Sequence, residues 1–188
     1  MKEKYTLVAD KKKYDLLNED PVIRTYMGKW VNVFDPTLDM FCIEDISHAL
    51  SHQCRFGGHL SSFYSVAQHS IQCAKQAAIW GLDKKEQLTA LMHDCSEAYL
   101  VDIPRPIKRR MPEYKIIENK LMFFLSETFK FNYPLSELIH NIDNLMLQIE
   151  WDNIMIKKDD IPVMHQLEIY SIEYAKQLFL DIFDDLTK

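Results

Sequence analysis

Glycine is scarce in this 188-residue sequence, with four residues at Gly28, Gly57, Gly58 and Gly81. Neither G-x-G-x-x-G nor G-x-x-x-x-G-K-[ST] can be written with them, which excludes the Rossmann and P-loop ways of holding a nucleotide. Cysteine is sparse as well. Cys42, Cys54, Cys73 and Cys95 form no C-x-x-C pair, and three fall in helical stretches, which points to small core residues in a reducing compartment. Long apolar runs are missing: Leu121 to Leu125 is far too short for a membrane span, and the start MKEKYTLVADKKK has no signal-peptide core. The expectation is a cytoplasmic protein with no membrane contact. Positive charge is in deficit too, at 22 Lys+Arg against 28 Asp+Glu. With a net charge of -6 there is no broad basic surface to track a duplex nucleic acid, and an anionic small substrate needs a metal or local cations.

Hydrophobic residues at 47% and charged residues at 27% match a folding globular chain, and the length suits one compact domain. Residues 1–42 read as a loop-rich arm with short alternating pieces, Tyr5 to Ala9 and Lys29 to Phe34, broken by Pro21, Gly28 and Pro36. From Ile43 the period becomes helical, so residues 43–188 form the main domain. Helices are expected near 43–54, 64–80, 84–99, 113–130, 136–157 and 165–184, separated at Gly57-Gly58, Gly81, Pro104-Arg-Pro106, Pro134 and Pro162. The architecture reads as an all-α, single-domain bundle.

Seven histidines are present, and five of them, His48, His52, His59, His69 and His93, lie between positions 48 and 93. The segment Leu91-Met-His-Asp-Cys-Ser-Glu-Ala-Tyr99 is the most informative. At about 100° per residue, Leu88, Leu91, Met92, Cys95 and Tyr99 share one arc, and His93, Asp94 and Glu97 share the opposite one. An imidazole with two carboxylates is not the Lys/Glu pattern of an ordinary surface helix. Adjacent His and Asp can reach one ion between them, and a divalent ion removes the repulsion between neighbouring carboxylates. Further ligands must come from elsewhere. His69, in Tyr-Ser-Val-Ala-Gln-His-Ser, borders the apolar stripe of its helix, and Asp143 lies beside a stripe of Ile142, Leu145, Met146 and Ile149. A carboxylate there is costly to bury unless paired or bound. A site that joined two such nitrogens to two such carboxylates would suit Mn, Fe, Co, Ni or Zn better than Mg or Ca.

With a His, a later His-Asp pair and a distant Asp in that order, the sequence resembles the HD-domain metal-dependent phosphohydrolases. The resemblance runs roughly over residues 43–155, through Ile-Glu-Asp-Ile-Ser-His-Ala-Leu-Ser-His, Cys-Arg-Phe-Gly-Gly-His, Tyr-Ser-Val-Ala-Gln-His-Ser and Leu-Met-His-Asp-Cys-Ser-Glu-Ala-Tyr. It is strongest to the 5'-deoxynucleotidases and the phage-type deoxynucleoside triphosphohydrolases, dATP triphosphohydrolases included. It implies an HD-type helical bundle with one divalent ion on His69, His93, Asp94 and Asp143. It also implies Glu97 as the catalytic carboxylate, Arg55 and Phe56 as an Arg–aromatic pair for phosphate and base, and Asp102 and Lys108 on the substrate side. Two departures are present: Phe56 stands where the deoxynucleotidases usually have Trp, and the span from Asp94 to Asp143 is shorter.

The implied reaction is metal-dependent hydrolysis of a deoxynucleotide at the α-phosphate, with a triphosphate such as dATP slightly favoured and tripolyphosphate as product. A deoxynucleoside monophosphate is the alternative substrate. A metal-binding module without turnover and a purely structural helical protein stay open, as does a homo-oligomer. Single residues carry alternatives too. Glu97 either moves a proton or orients His93, and Arg55 either binds phosphate or makes an ordinary salt bridge. His48 and His52 have the i, i+4 spacing of a zinc pair, but Ala49 stands where a metalloprotease needs Glu, so they belong to the core or to the substrate pocket. His59, just after Gly57-Gly58, is a further pocket candidate, and His140 and His165 read as solvent-facing or capping. Lys108, Arg109 and Arg110 are either cations for extra phosphates or a solvated basic turn. Cys95, Trp30, Trp80, Trp151, the Met-rich stretch 145–155 and Leu121 to Leu125 read as core.

Overall fold

The computed structural model describes residues 22–155 and 167–188, so Tyr5 to Ala9 and His165 lie outside the described residues. The arm forms a small antiparallel hairpin, β1 (Val22–Arg24) and β2 (Trp30–Asn32), with Ile23 opposite Val31. Gly28, at φ 81, makes the turn between them, a backbone conformation that glycine adopts without steric cost. Helices dominate the rest: α1 (Ile43–His52), α2 (Val66–Ile79), α3 (Lys84–Met92), α4 (Glu97–Leu100), α5 (Arg105–Lys108), α6 (Pro112–Phe129), α7 (Glu137–Glu150) and α8 (Ile172–Thr187). None is long and apolar enough to cross a membrane.

The sequence marks several helix starts clearly. Ser65, Asp83, Ser136 and Ser171 each accept a backbone N–H of the first turn they precede, which satisfies one otherwise orphaned donor. The α6 helix begins on Pro112, where a missing N–H costs nothing, and ends on Lys130 in the left-handed region. The core joins Ile46 and Leu50 of α1, Val66 and Ile71 of α2, Leu88 and Leu91 of α3, Leu121 and Leu125 of α6, and Phe179 of α8. Val31 and Val33 of the arm enter the same cluster, so the hairpin packs on the bundle. All four cysteines are free, with Cys73 and Cys95 buried and Cys42 and Cys54 half-buried.

Four expectations need correction. The stretch 84–99 is not one helix: α3 ends at Met92, and the His93 ring nitrogen Nδ1 takes the Ala90 carbonyl at 2.8 Å. The backbone then turns with i→i+3 bonds, Cys95 to Met92 and Glu97 to Asp94. Second, the segment Pro104-Arg-Pro106 is not a plain break, because it starts the short α5, whose first turn tolerates proline. The last two helices also depart from the expected bounds: α7 stops at Glu150 before a π-helical turn, Trp151–Met155, and α8 starts at Ile172. Finally, several expected core residues face out. Trp30, Trp80 and Trp151 are 49%, 42% and 45% exposed, and Phe123 and Leu145 are exposed as well. Burial on α7 follows Ile139, Ile142 and Met146, and Leu145 lies on the outer face.

Candidate functional site

Three elements bring the site together. Val66 N–H donates to Gln53 O at 3.0 Å and Arg55 N–H to Tyr64 O at 2.9 Å, closing the loop 55–65 at its neck and holding Arg55 beside the start of α2. One turn into α2 lies His69, fully buried. His93 and Asp94 occupy the turn after α3. Asp143 and Glu150, seven residues apart on α7, share one face because seven residues make nearly two full turns. A second tie comes from Gln68, whose side chain binds Glu168 O and accepts Tyr170 N–H, anchoring the approach to α8 behind the site.

Both imidazoles are fixed through Nδ1. His93 Nδ1 faces the Ala90 carbonyl at 2.8 Å and His69 Nδ1 faces Glu150 Oε1 at 2.6 Å. A carbonyl and an ionised carboxylate can only accept, so each Nδ1 carries the hydrogen and each Nε2 is left to bind something else. The two Nε2 atoms converge to 3.2 Å. His69 Nε2 is 3.2 Å from Asp143 Oδ1 and 3.7 Å from Asp94 Oδ2, while His93 Nε2 is 3.2 Å from Asp94 Oδ2 and 3.9 Å from Asp143 Oδ1. Ligands held about 2.1 Å from one tetrahedral ion sit about 3.4 Å apart, so these spacings fit a shared metal. Cys73, one turn after His69, is a third soft donor, with Sγ 3.6 Å from His69 Nε2. The buried cluster His69, Cys73 and His93 could bind a metal ion. Cys73 also packs against Ala77, Ala90, Ile139, Ile142 and Met146, so it forms the apolar floor of the site.

Glu150 is the residue that sequence reasoning missed. It is fully buried and uses both oxygens, Oε1 on His69 and Oε2 on Arg55 Nε at 3.0 Å. The signal was available: Glu150 continues the buried row Ile139, Ile142, Met146 at helical spacing, where an unpaired carboxylate would be costly. Arg55 is buried with it, and Nη1 lies 3.7 Å from Asp94 Oδ2. The salt-bridge reading of Arg55 is therefore what the geometry displays, yet its Nη groups donate no hydrogen bond among the described residues and face the cluster.

The other candidates divide. Glu97, at the start of α4, is buried, and its Oε1 accepts from Lys108 Nζ at 3.2 Å while Oε2 has no partner among the described residues. Lys108 is also bound to Glu118, so it serves carboxylates rather than standing free for phosphate. The Asp102 N–H donates to Gln53 Oε1 at 3.1 Å, and Gln53 Nε2 donates to Glu97 O, which ties the Asp102 loop to α4. Arg109 and Arg110 are exposed, and Arg105, which the sequence did not single out, donates from Nη2 to Asp143 Oδ2 at 2.8 Å and from Nη1 to Asn144 Oδ1 at 2.7 Å. Phe56 follows Arg55 in the left-handed region at φ 56, a strain on the order of 1 kcal/mol for a bulky residue. Its ring lies 5.6 Å from the Arg55 guanidinium carbon. His59 is exposed and its imidazole stays outside the cluster, the N–H only closing the turn onto Phe56 O. His48 and His52 are elsewhere, stacked in a row with Tyr26 at ring separations of 3.7 and 4.1 Å. A surface groove of about 540 Å³, lined by Lys84, Leu88, Phe129 and Phe183, shares no residue with this site.

No protein-family model matches the chain. It is 33% identical to the uncharacterized protein YfdR of Escherichia coli (strain K12) over 175 residues, 88% of this chain and 96% of that protein. The chain belongs to the YfdR family. The uncharacterized protein RCAP_rcc00048 of Rhodobacter capsulatus is 35% identical over 89 residues, 45% of each chain.

In this YfdR-family chain the site's charges are mutually dependent. Burial would push the His93 imidazolium down, but Asp94 beside it prevails and raises it from 6.5 to about 10. Burial and Arg55 likewise oppose the His69 charge, and Cys73, Glu150 and Asp143 overcome them. Burial would raise Asp143, yet the His69 hydrogen bond and the His93 charge bring it from 3.8 to about 2. Glu97 goes the other way, raised well above the usual carboxylate range by burial and by Asp94 and Asp102, against Lys108 and Arg55.

These directions set a stability profile for the chelated protein. The His93 contribution is complete below about pH 6.5 and is lost as the pH rises toward about 10, because its folded value is the higher one. The Asp143 contribution is complete above about pH 4 and is lost as the pH falls toward about 2. Glu97, also higher in the folded state, loses its contribution as the pH rises above about 4.5, so thermal midpoints in excess chelator should be highest near pH 4 to 5 and fall toward pH 10. A midpoint that climbs from pH 6.5 to 10 would contradict the charged His93–Asp94 arrangement.

Proposed function

We propose that this protein is an HD-type metal-dependent phosphohydrolase acting on a deoxynucleotide at its α-phosphate. One observation carries the reading: two imidazoles locked through Nδ1 bring their Nε2 atoms together with Asp94 and Asp143, and the turn that holds Asp94 leads directly to Glu97, a buried carboxyl with one oxygen unpartnered among the described residues. His69, His93, Asp94 and Asp143 would hold one divalent transition ion such as Mn, Fe, Co, Ni or Zn, with Cys73 behind them. When bound, such an ion would supply a Lewis acid for a phosphoryl oxygen and lower the pKa of the water it holds toward neutrality.

The remaining work falls to the chain's own groups. Arg55 is held rigid by Glu150, so its Nη donors are aimed at the site before a phosphate arrives, which reduces the ordering cost of binding. Arg105, half out in solvent on Asp143, is a second cation within reach of a phosphate chain. Attack of water oxygen on the α-phosphorus forms one P–O bond as the bond to the sugar O5' breaks, the water giving up one proton to bulk solvent. That oxygen leaves as an alkoxide unless it receives a proton. Glu97, which burial raises well above the usual carboxylate range, would supply that proton and regain it from solvent, with Lys108 fixing the carboxyl's orientation.

The test is a panel of nucleoside and deoxynucleoside mono- and triphosphates with several divalent metals, products separated by chromatography, with dATP first. Deoxyadenosine plus tripolyphosphate is the expected pair, and in ¹⁸O-water the label should reside on the tripolyphosphate. A monophosphate substrate would instead give nucleoside and labelled phosphate by the same attack. Release of γ-phosphate with dADP left behind would contradict the α-phosphorus geometry.

A further inference from the structure

Beside the cluster stands an aromatic residue that the mechanism does not use. Trp151 directly follows the fully buried Glu150, yet is itself 45% exposed. It opens the π-helical turn Trp151–Met155, a wider winding that recurs at functional sites because it re-aims side chains. Ser61 Oγ, from the loop after Gly58, donates to Ile154 O at 3.4 Å and pins that turn against the Phe56 loop. As a result the Trp151 ring meets the Phe56 ring edge-on, with centroids 6.2 Å apart at 60°. Two irregular backbone segments far apart in sequence thus present two aromatic rings at one place.

The order of groups is informative. Phe56 lies 5.6 Å from the Arg55 guanidinium carbon, and Arg55 lies 3.7 Å from Asp94. Aromatic wall, cation and metal-competent cluster follow one another, which is the order of base and phosphate in a nucleotide. We propose that Trp151 is a substrate-binding residue that stacks, together with Phe56, on the nucleobase, an inference that rests on the nucleotide reading above. Stacking uses the π-face that every base possesses, so the pair contributes affinity without choosing a base. The stacked base is held alike in the ground and transition states, so its loss should raise KM and leave kcat nearly unchanged.

The experiment is a stopped-flow tryptophan-fluorescence titration of the manganese-loaded full chain, read in the first milliseconds after mixing, paired with steady-state kinetics in which the KM for dATP and the inhibition constants of the base-free compounds report binding. The probes are dATP, and tripolyphosphate and 2-deoxyribose 5-phosphate as base-free controls. Wild type should show quenching by dATP and none by the controls. Trp151→Ala should lose the quench and bind dATP about 5- to 150-fold more weakly, the range of one base–aromatic stack. Trp151→Phe, which keeps a ring, should recover most of that affinity, and binding of the base-free controls should be unaltered in both. Unchanged dATP binding by Trp151→Ala, or an equal loss for the controls, overturns the proposal. A wild type that binds dATP no better than tripolyphosphate overturns it while leaving the phosphate reading intact. A wild type that binds none of the three probes overturns the nucleotide reading and this inference together.

Discussion

The Asp94→Asn protein, purified without chelator, should carry far less than the roughly one divalent ion per chain expected of wild type, and should show no measurable turnover. Asp94 Oδ2 sits within 3.2 Å of His93 Nε2 and 3.7 Å of His69 Nε2, so the carboxylate supplies both a donor atom and the charge that balances the ion. Asparagine keeps the shape and loses the charge. His69→Ala should do the same by removing the nitrogen around which the spacings are organised. Glu150→Gln tests the same centre from behind: the amide can still bond one partner, but it no longer fixes His69 and Arg55 at once. Metal affinity should fall about 10- to 100-fold, the usual cost of losing a group that orients a ligand. In parallel, metal at about a thousand times its Kd should stabilise wild type by about 4 kcal/mol and the Asp94→Asn variant hardly at all. Metal content by elemental analysis and thermal midpoints check both statements. Normal metal content in Asp94→Asn and His69→Ala together would remove the proposed centre.

Glu97→Gln should keep the ion and lose the reaction, with kcat down roughly 10² to 10⁴. That factor corresponds to about 3 to 5 kcal/mol of transition-state stabilisation, a large share for a single group. The reason is the unusual state of this carboxyl. Burial, with Asp94 and Asp102, raises it well above the usual carboxylate range, and one of its oxygens is left without a partner among the described residues. Glutamine matches its volume and can still meet Lys108, so the fold and the ligands should be undisturbed, but it has no proton to give an alkoxide. Single-turnover rates with metal content measured on the same sample separate the outcomes. A near-normal rate would assign Glu97 to orienting His93, and loss of the ion would make Glu97 a ligand.

Most of the bundle was readable because helix starts and stops are local events. Ser65, Asp83, Ser136 and Pro112 act within one turn of where they stand, and α1, α2, α6 and α7 begin within two residues of the expected places. The failures came where a particular side-chain contact or packing overruled the helical period. α3 ends at Met92 because the His93 ring takes the Ala90 carbonyl, an event that no propensity scale contains. Trp151 was read as core from its chemistry alone, since large aromatic residues are highly buried on average. Its exposure follows from the π turn after Glu150.

The candidate site divides the same way. The sequence by itself determined which residue types were available and in what order: His69, then His93-Asp94 with Glu97, then Asp143, and no glycine loop to cradle a phosphate. It also determined that Asp143 would border an apolar face, because helical spacing is a property of the chain. Only the tertiary structure decided that Asp94 Oδ2 and Asp143 Oδ1 each come within 3.2 to 3.9 Å of both Nε2 atoms, and which ring nitrogen of each histidine faces them. It alone revealed Glu150 as the group joining His69 to Arg55, assigned Lys108 to Glu97, and left His59 outside. The physical reason is range. Caps, turns and amphipathic spacing act over one or two helical turns, whereas the His69–Glu150 contact joins residues 81 apart and the Arg55–Glu150 contact joins residues 95 apart. Such contacts exist only once the helices have packed, and their strength comes from the exclusion of water that the packing brings about.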